Sequence, residues 1–115
     1  MDIKHIKINE QKWEQVRSGV SRKVVHGNNG TVVFNKLESG HEPRPHQHSH
    51  EQIAIILKGQ TNFTVGENVY ELREGDLVFI PPHVTHFAQV INGEDCINLD
   101  FFIPRRDDYI ETVIT

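Results

Sequence analysis

Residues 51–82 read "EQIAIILKGQTNFTVGENVYELREGDLVFIPP" and decide the architecture. Four short runs, "EQIAIIL", "TNFTV", "NVYEL" and "DLVFI", are rich in β-branched and aromatic residues. Turn signals separate them: Lys58-Gly59, Gly66-Glu67 and "REGD" at 73–76, with Pro81-Pro82 ending the last. Strands at this spacing, with no helical period between them, belong to antiparallel sandwiches or small barrels.

The pattern continues outward on both sides. Upstream, "VSRKVV" and "TVVFNKL" flank "HGNNG", whose Asn-Gly at 29–30 is a hairpin signal. Downstream, "HFAQVI" and "CINLDFFI" flank the turn "NGED". Roughly eight strands are expected, and the fold class is all-β. Only "NEQKWEQVRS" at 9–18 offers a helical turn, and Pro104 should open a loose or short helical tail.

The bulk numbers narrow the partners. A chain of 115 residues is expected to form one domain, residues 1–115, with its barrel core at about 19–103. Hydrophobic residues make up 37% and charged ones 24%, the composition of a soluble globular protein. The net charge is -4 with both signs interspersed, which argues against nucleic acid as a partner. The basic pair Arg105-Arg106 is followed directly by Asp107-Asp108. Cys96 stands alone, so neither an internal disulfide nor a Cys-rich zinc site can form. No apolar stretch near the start is long enough for a signal peptide, and the longest apolar run, 53–57, is too short for a bilayer. A cytoplasmic location and no membrane partner are the expectations.

Eight histidines are the compositional anomaly, and they cluster. In "RPHQHSHEQ", His46, His48 and His50 alternate and would share one face of a strand. Gln52 lies roughly 13 Å beyond His48 on a straight strand, too far for both to meet one ion. The chain must bend near Ser49 and His50, so that Gln52 opens the next strand opposite His46 and His48. His50 is then expected to point away. A second cluster, "GDLVFIPPHVTHF", ends one strand at two prolines and starts another at His86. His41 and His83 are expected in loops or on the rim, and His5 and His26 carry no signal.

These motifs resemble the cupin superfamily. Its first motif, G-x5-H-x-H-x3,4-E-x6-G, is matched at Gly40, His46, His48, Gln52 and Gly59, with Gln in place of Glu. Its second appears at Gly75, Pro81 and His86, with His83 for the usual Gly and Val90 for the usual Asn. The resemblance implies a double-stranded β-helix barrel of the jelly-roll type. It also implies one divalent metal ion held by His46, His48, Gln52 and His86. Three imidazoles suit Zn, Ni, Fe, Mn, Co or Cu. A neutral Gln leaves the ion its full charge, which favours Lewis-acid chemistry on an enolate or carboxylate over redox chemistry.

The stretch "CINLDFFIPRRDDY" adds a second constellation. Ile97, Leu99, Phe101 and Ile103 make an apolar face that could pack between sheets; Asp100 and Phe102 share the other. An acid beside a metal is a candidate general acid or base. Taken alone, the pattern equally describes an acid on the solvent face of an amphipathic strand. Small cupins of the KdgF type, from pectin and alginate degradation, share the Gln variant of the first motif. They also share a final D-x-F-x-P-x-R, here Asp100, Phe102, Pro104 and Arg106, and the similarity runs from about Gly19 to Tyr109. That resemblance implies a metal-dependent enzyme opening 4,5-unsaturated monouronates to linear keto forms. Asp100, Phe102 and Arg106 would hold the catalytic and substrate roles, with Arg106 pairing the uronate carboxylate.

Isomerases of the BacB type resemble the chain in "HEQI", the Gln ligand and a final F-F-x-P-R, but carry two cupin domains. A quercetinase-type dioxygenase and a non-catalytic metal or sugar-binding module are the other classes the pattern admits. The partner expected is a small anionic sugar acid, and small cupins of this kind are expected to form homodimers.

Overall fold

The structure, a computed structural model, describes residues 3–112. Nine strands appear among them, and all of their pairings are antiparallel. They are β1 (Glu14–Arg17), β2 (Val20–His26), β3 (Thr31–Leu37), β4 (Glu51–Lys58), β5 (Thr61–Val65), β6 (Asn68–Leu72), β7 (Leu77–Ile80), β8 (His86–Val90) and β9 (Cys96–Ile103). One sheet runs β1-β2-β3-β9-β4-β7 and the other β6-β5-β8. The two close into the jelly-roll barrel, with Leu37, Ala54, Ile56, Phe63, Leu72 and Ile80 buried between them.

The eight strands expected from the sequence are β2 to β9. β1 corrects the expectation of a helical turn at 9–18. Only Ile8–Glu10 turns, as a 3₁₀ helix, while Glu14–Arg17 lies along β2 with Glu14 opposite Arg22. The free edge of β2 offers that segment ladder hydrogen bonds, and its Val16 is exposed, so a helix would have had no apolar face to bury. The tail beyond Pro104 is loose rather than helical, and Thr112 anchors it. Its amide donates to the Val24 carbonyl (2.9 Å) and its Oγ1 accepts from the Val24 amide (2.7 Å), along the part of β2 that β1 does not cover.

β9 lies between β3 and β4, with Val33 and Ala54 flanking Asp100 in the ladders. Its interior face is Cys96, Asn98, Asp100 and Phe102; Phe101 and Ile103 are exposed. The apolar face expected to pack between sheets therefore faces outward, where it joins exposed Leu77 and Phe79 of β7. The polar face can turn inward because its side chains bond one another there. Among the described residues no helix is long and apolar enough to cross a membrane.

Candidate metal centre

The first histidine segment does bend at Ser49 and His50, and β4 starts directly after it. The segment runs beside the start of β8. His46 and His86 exchange both backbone hydrogen bonds (3.1 and 2.9 Å), and the His83 amide donates to the His48 carbonyl (2.8 Å). His83 makes that bond with φ +65°, in the left-handed region. This explains why the cupin motif has Gly there. At Gly59 (φ +84°) the constraint is tighter still, because a Cβ would meet the Asp95 carbonyl oxygen at 2.6 Å.

Those contacts gather the imidazoles of His46, His48 and His86, whose ligand atoms all lie within 4.8 Å of one another. Each ring is fixed by its own neighbourhood. Nδ1 of His46 donates to the Arg44 carbonyl (2.8 Å), that of His48 to the His50 carbonyl (2.9 Å), and that of His86 to the Val84 carbonyl (2.9 Å). A carbonyl only accepts, so Nδ1 carries the proton and Nε2 presents a lone pair. Burial, ahead of any other cause, holds His48 below the usual histidine range and His86 at about 4, so both stay neutral. Gln52, buried at the start of β4, places Oε1 3.0 Å from Nε2 of both His48 and His86. Acceptor faces acceptor at each contact, which is repulsive until a cation sits between them. The three histidines are placed to hold a metal ion, and the donor set fits one.

Asp100 is buried behind this group at 7% exposure. Its Oδ1 accepts from Asn98 Nδ2 (2.8 Å) and its Oδ2 from Asn35 Nδ2 (2.7 Å). Burial pushes the Asp100 carboxyl up to about 6, although the neighbouring amides of Gln52, Asn98 and Asn35 oppose the shift. Asn98 stands on the face that the sequence assigns to Asp100 and Phe102, but neither it nor Asn35 was expected to have a role. Their signal was an amide at an alternate, inward position of a strand.

Phe102 is buried with its ring 5.4 Å from that of His48 and 5.9 Å from that of Tyr109. The Arg106 guanidinium stands 4.7 Å over Phe102 and 4.0 Å over Tyr109. Its fork is taken by Asp108, with Nε donating to Oδ1 (3.0 Å) and a terminal NH2 group to Oδ2 (2.7 Å). That pairing holds the Asp108 carboxyl at about 2. His50 is not among the gathered ligands, but its carbonyl steers His48 and its ring meets the edge of Phe102 at 6.3 Å. His83 is exposed, as expected of the rim. His41 is not at the rim: its loop buries it to 8% exposure on the wall of a cavity of about 420 Å³, which His46, Gln52, His86, Asp100 and Phe102 also line.

Comparison with known proteins agrees with this layout. The cupin domain family matches residues 33–102. KdgF from Halomonas sp. superposes with a TM-score of 0.86 at 30% identity, over 96% of this chain and 100% of that one. An RmlC-like cupin from Shewanella frigidimarina gives 0.81 at 27% identity, over 89% and 91%. The uncharacterized HTH-type transcriptional regulator YdeC of Bacillus subtilis is 39% identical over 65 residues, 56% of this chain. Those residues span only 22% of that regulator's length.

Proposed function

This chain belongs to the cupin family, and from that premise we propose that it is a metal-dependent enzyme opening the ring of 4,5-unsaturated monouronates to their linear keto forms. The observation that carries the reading is Asp100: a buried carboxyl raised to about 6 and hydrogen-bonded to Asn35 and Asn98, in a cavity that His46, Gln52 and His86 also line. Similarity to KdgF along nearly the whole chain supports it.

In this reading His46, His48, His86 and Gln52 would hold one divalent ion, whose charge would stabilise negative charge on substrate oxygen. Gln52 adds no anion to dilute that charge. Asp100, with proton affinity near neutrality, moves a proton between the hydroxyl side of the ring and C4. Asn35 and Asn98 hold its carboxyl in place. Phe102 supplies an apolar wall for the sugar ring, and Arg106, paired with Asp108, stacks on that wall.

The assay follows the ultraviolet absorbance of the conjugated 4,5-unsaturated acid, which disappears as the ring opens. Asp100→Asn keeps the side-chain shape and should lower kcat by about 10² to 10⁴, the usual worth of a positioned acid or base. Full activity in that variant removes Asp100 from the chemistry. A second reading, a binding module without turnover, is favoured by the match to part of YdeC. It predicts ligand binding with no loss of absorbance and indifference to Asp100→Asn.

A further inference from the structure

The six arginines of the chain divide into two groups. Arg73, Arg105 and Arg106 face carboxylates, on Glu71, Asp107 and Asp108. Arg17, Arg22 and Arg44 have no carboxylate partner among the described residues. The unpaired three all line the cavity of the metal centre, and none of the paired three does. Asp100 is the one acid on that lining. In a chain of net charge -4, three guanidinium groups without a salt bridge share one cavity.

Two of the three are held by side-chain contacts. Arg17 donates to the Glu42 carbonyl (2.7 Å). Arg22 lies 4.0 Å from the ring centre of Tyr109, the same ring that Arg106 approaches. Arg44 belongs to the segment whose carbonyl fixes His46. His41 lies on the same lining, and neither of its buried ring nitrogens has a hydrogen-bond partner among the described residues. The Glu42 carbonyl beside it accepts from Arg17. Buried polar atoms without partners are uncommon and call for a ligand or water. Arg17 is pushed below its usual value, first by burial and then by Arg44, a repulsion that a bound anion would relieve. Meanwhile Arg106, the guanidinium expected to grip a carboxylate, has its fork closed on Asp108.

We propose that Arg17, Arg22 and Arg44, with His41, form an oxyanion subsite in the cavity of the metal centre, and that it seats the carboxylate of a monosaccharide-sized uronate. The planar forks match a carboxylate bidentately, and the cavity volume suits a single sugar. The choice of a sugar acid rests on the reading above; the subsite itself rests on the unpaired charge.

Calorimetric titration of the metal-loaded protein with D-galacturonate, D-galactose 6-phosphate and D-galactose tests it without requiring turnover. Galacturonate should bind at least about tenfold tighter than galactose. Arg22→Gln, and the double variant Arg17→Gln with Arg44→Gln, should each erase most of that margin and leave galactose binding unchanged. Arg22→Lys, which keeps the charge but loses the fork, should fall between them, and Arg73→Gln should behave as wild type. Melting curves superposing on the wild type exclude misfolding; if the double variant melts early, the Arg22 pair decides. No measurable galacturonate binding, equal binding of acid and neutral sugar, or wild-type affinity in the variants overturns the subsite. Tighter binding of the phosphate than of galacturonate overturns its assignment to a carboxylate. Charge-selective binding with no ring opening removes the reaction and leaves the subsite, whereas ring opening that the arginine variants do not affect removes the subsite and leaves the reaction.

Discussion

The two faces of β9 reverse the usual order of a strand. Asn98 and Asp100 point into the barrel with Phe102, while Phe101 and Ile103 are left in contact with solvent. A carboxyl taken out of water without partners would be costly, so Asn35 and Asn98 each give it a hydrogen bond. Even so, burial wins and its proton affinity rises. The comparison teaches where to look in a small β-barrel: the chemistry lies where a strand turns its polar side inward and neighbouring strands supply amides to receive it.

The first way to break this comparison is to truncate one aromatic on each face. Phe102→Ala removes a buried ring packed with Val24, Val33 and Tyr109 and should cost about 3–5 kcal/mol in urea unfolding. A loss near zero would mean that the inner face contributes chemistry but not packing.

A smaller effect separates the charges behind that face, in protein kept metal-free by a chelator. His86, at about 4 when folded against 6.5 ordinarily, contributes stability that is full above pH 6.5 and lost as pH falls toward 4. Asp100, at about 6 against 3.8, has the opposite sign: its contribution is full below pH 3.8 and lost as pH rises through 6. Each is worth at most about 3 kcal/mol, so they should nearly cancel between pH 4 and 6. Asp100→Asn should expose stability rising with pH across that window, and His86→Gln stability falling with it. Parallel profiles in the two variants would show that burial does not shift these groups in opposite directions.

The smallest effect is on the outer face. Phe101→Ser, at a position that is 37% exposed, should change stability by less than about 1 kcal/mol. Sedimentation of the same variant also tests the proposed homodimer, since this exposed apolar face is where two copies could meet. A large loss of stability in a monomer would mean that the face is covered by the chain itself.

Much of this was legible because it is local. Strand spacing, the alternation of His46 and His48 and the start of a strand at His86 are patterns over a few residues, and the bend before Gln52 follows from the rise of a strand. Asn35 and Asn98 were half legible, as amides at alternate positions, but only the pairing of β3 with β9 shows that they meet one carboxyl. β1 was misread because a short polar segment takes its conformation from the edge available to it.

By itself the sequence determined the all-β class, the histidine cluster and the family resemblance, since each rests on spacing along the chain. The tertiary structure decided which face of β9 is inside, that His41 is buried, that the fork of Arg106 closes on Asp108 and that three unpaired arginines share the cavity. Those depend on which distant strands become neighbours, and on how burial and charge act between residues that the sequence keeps far apart.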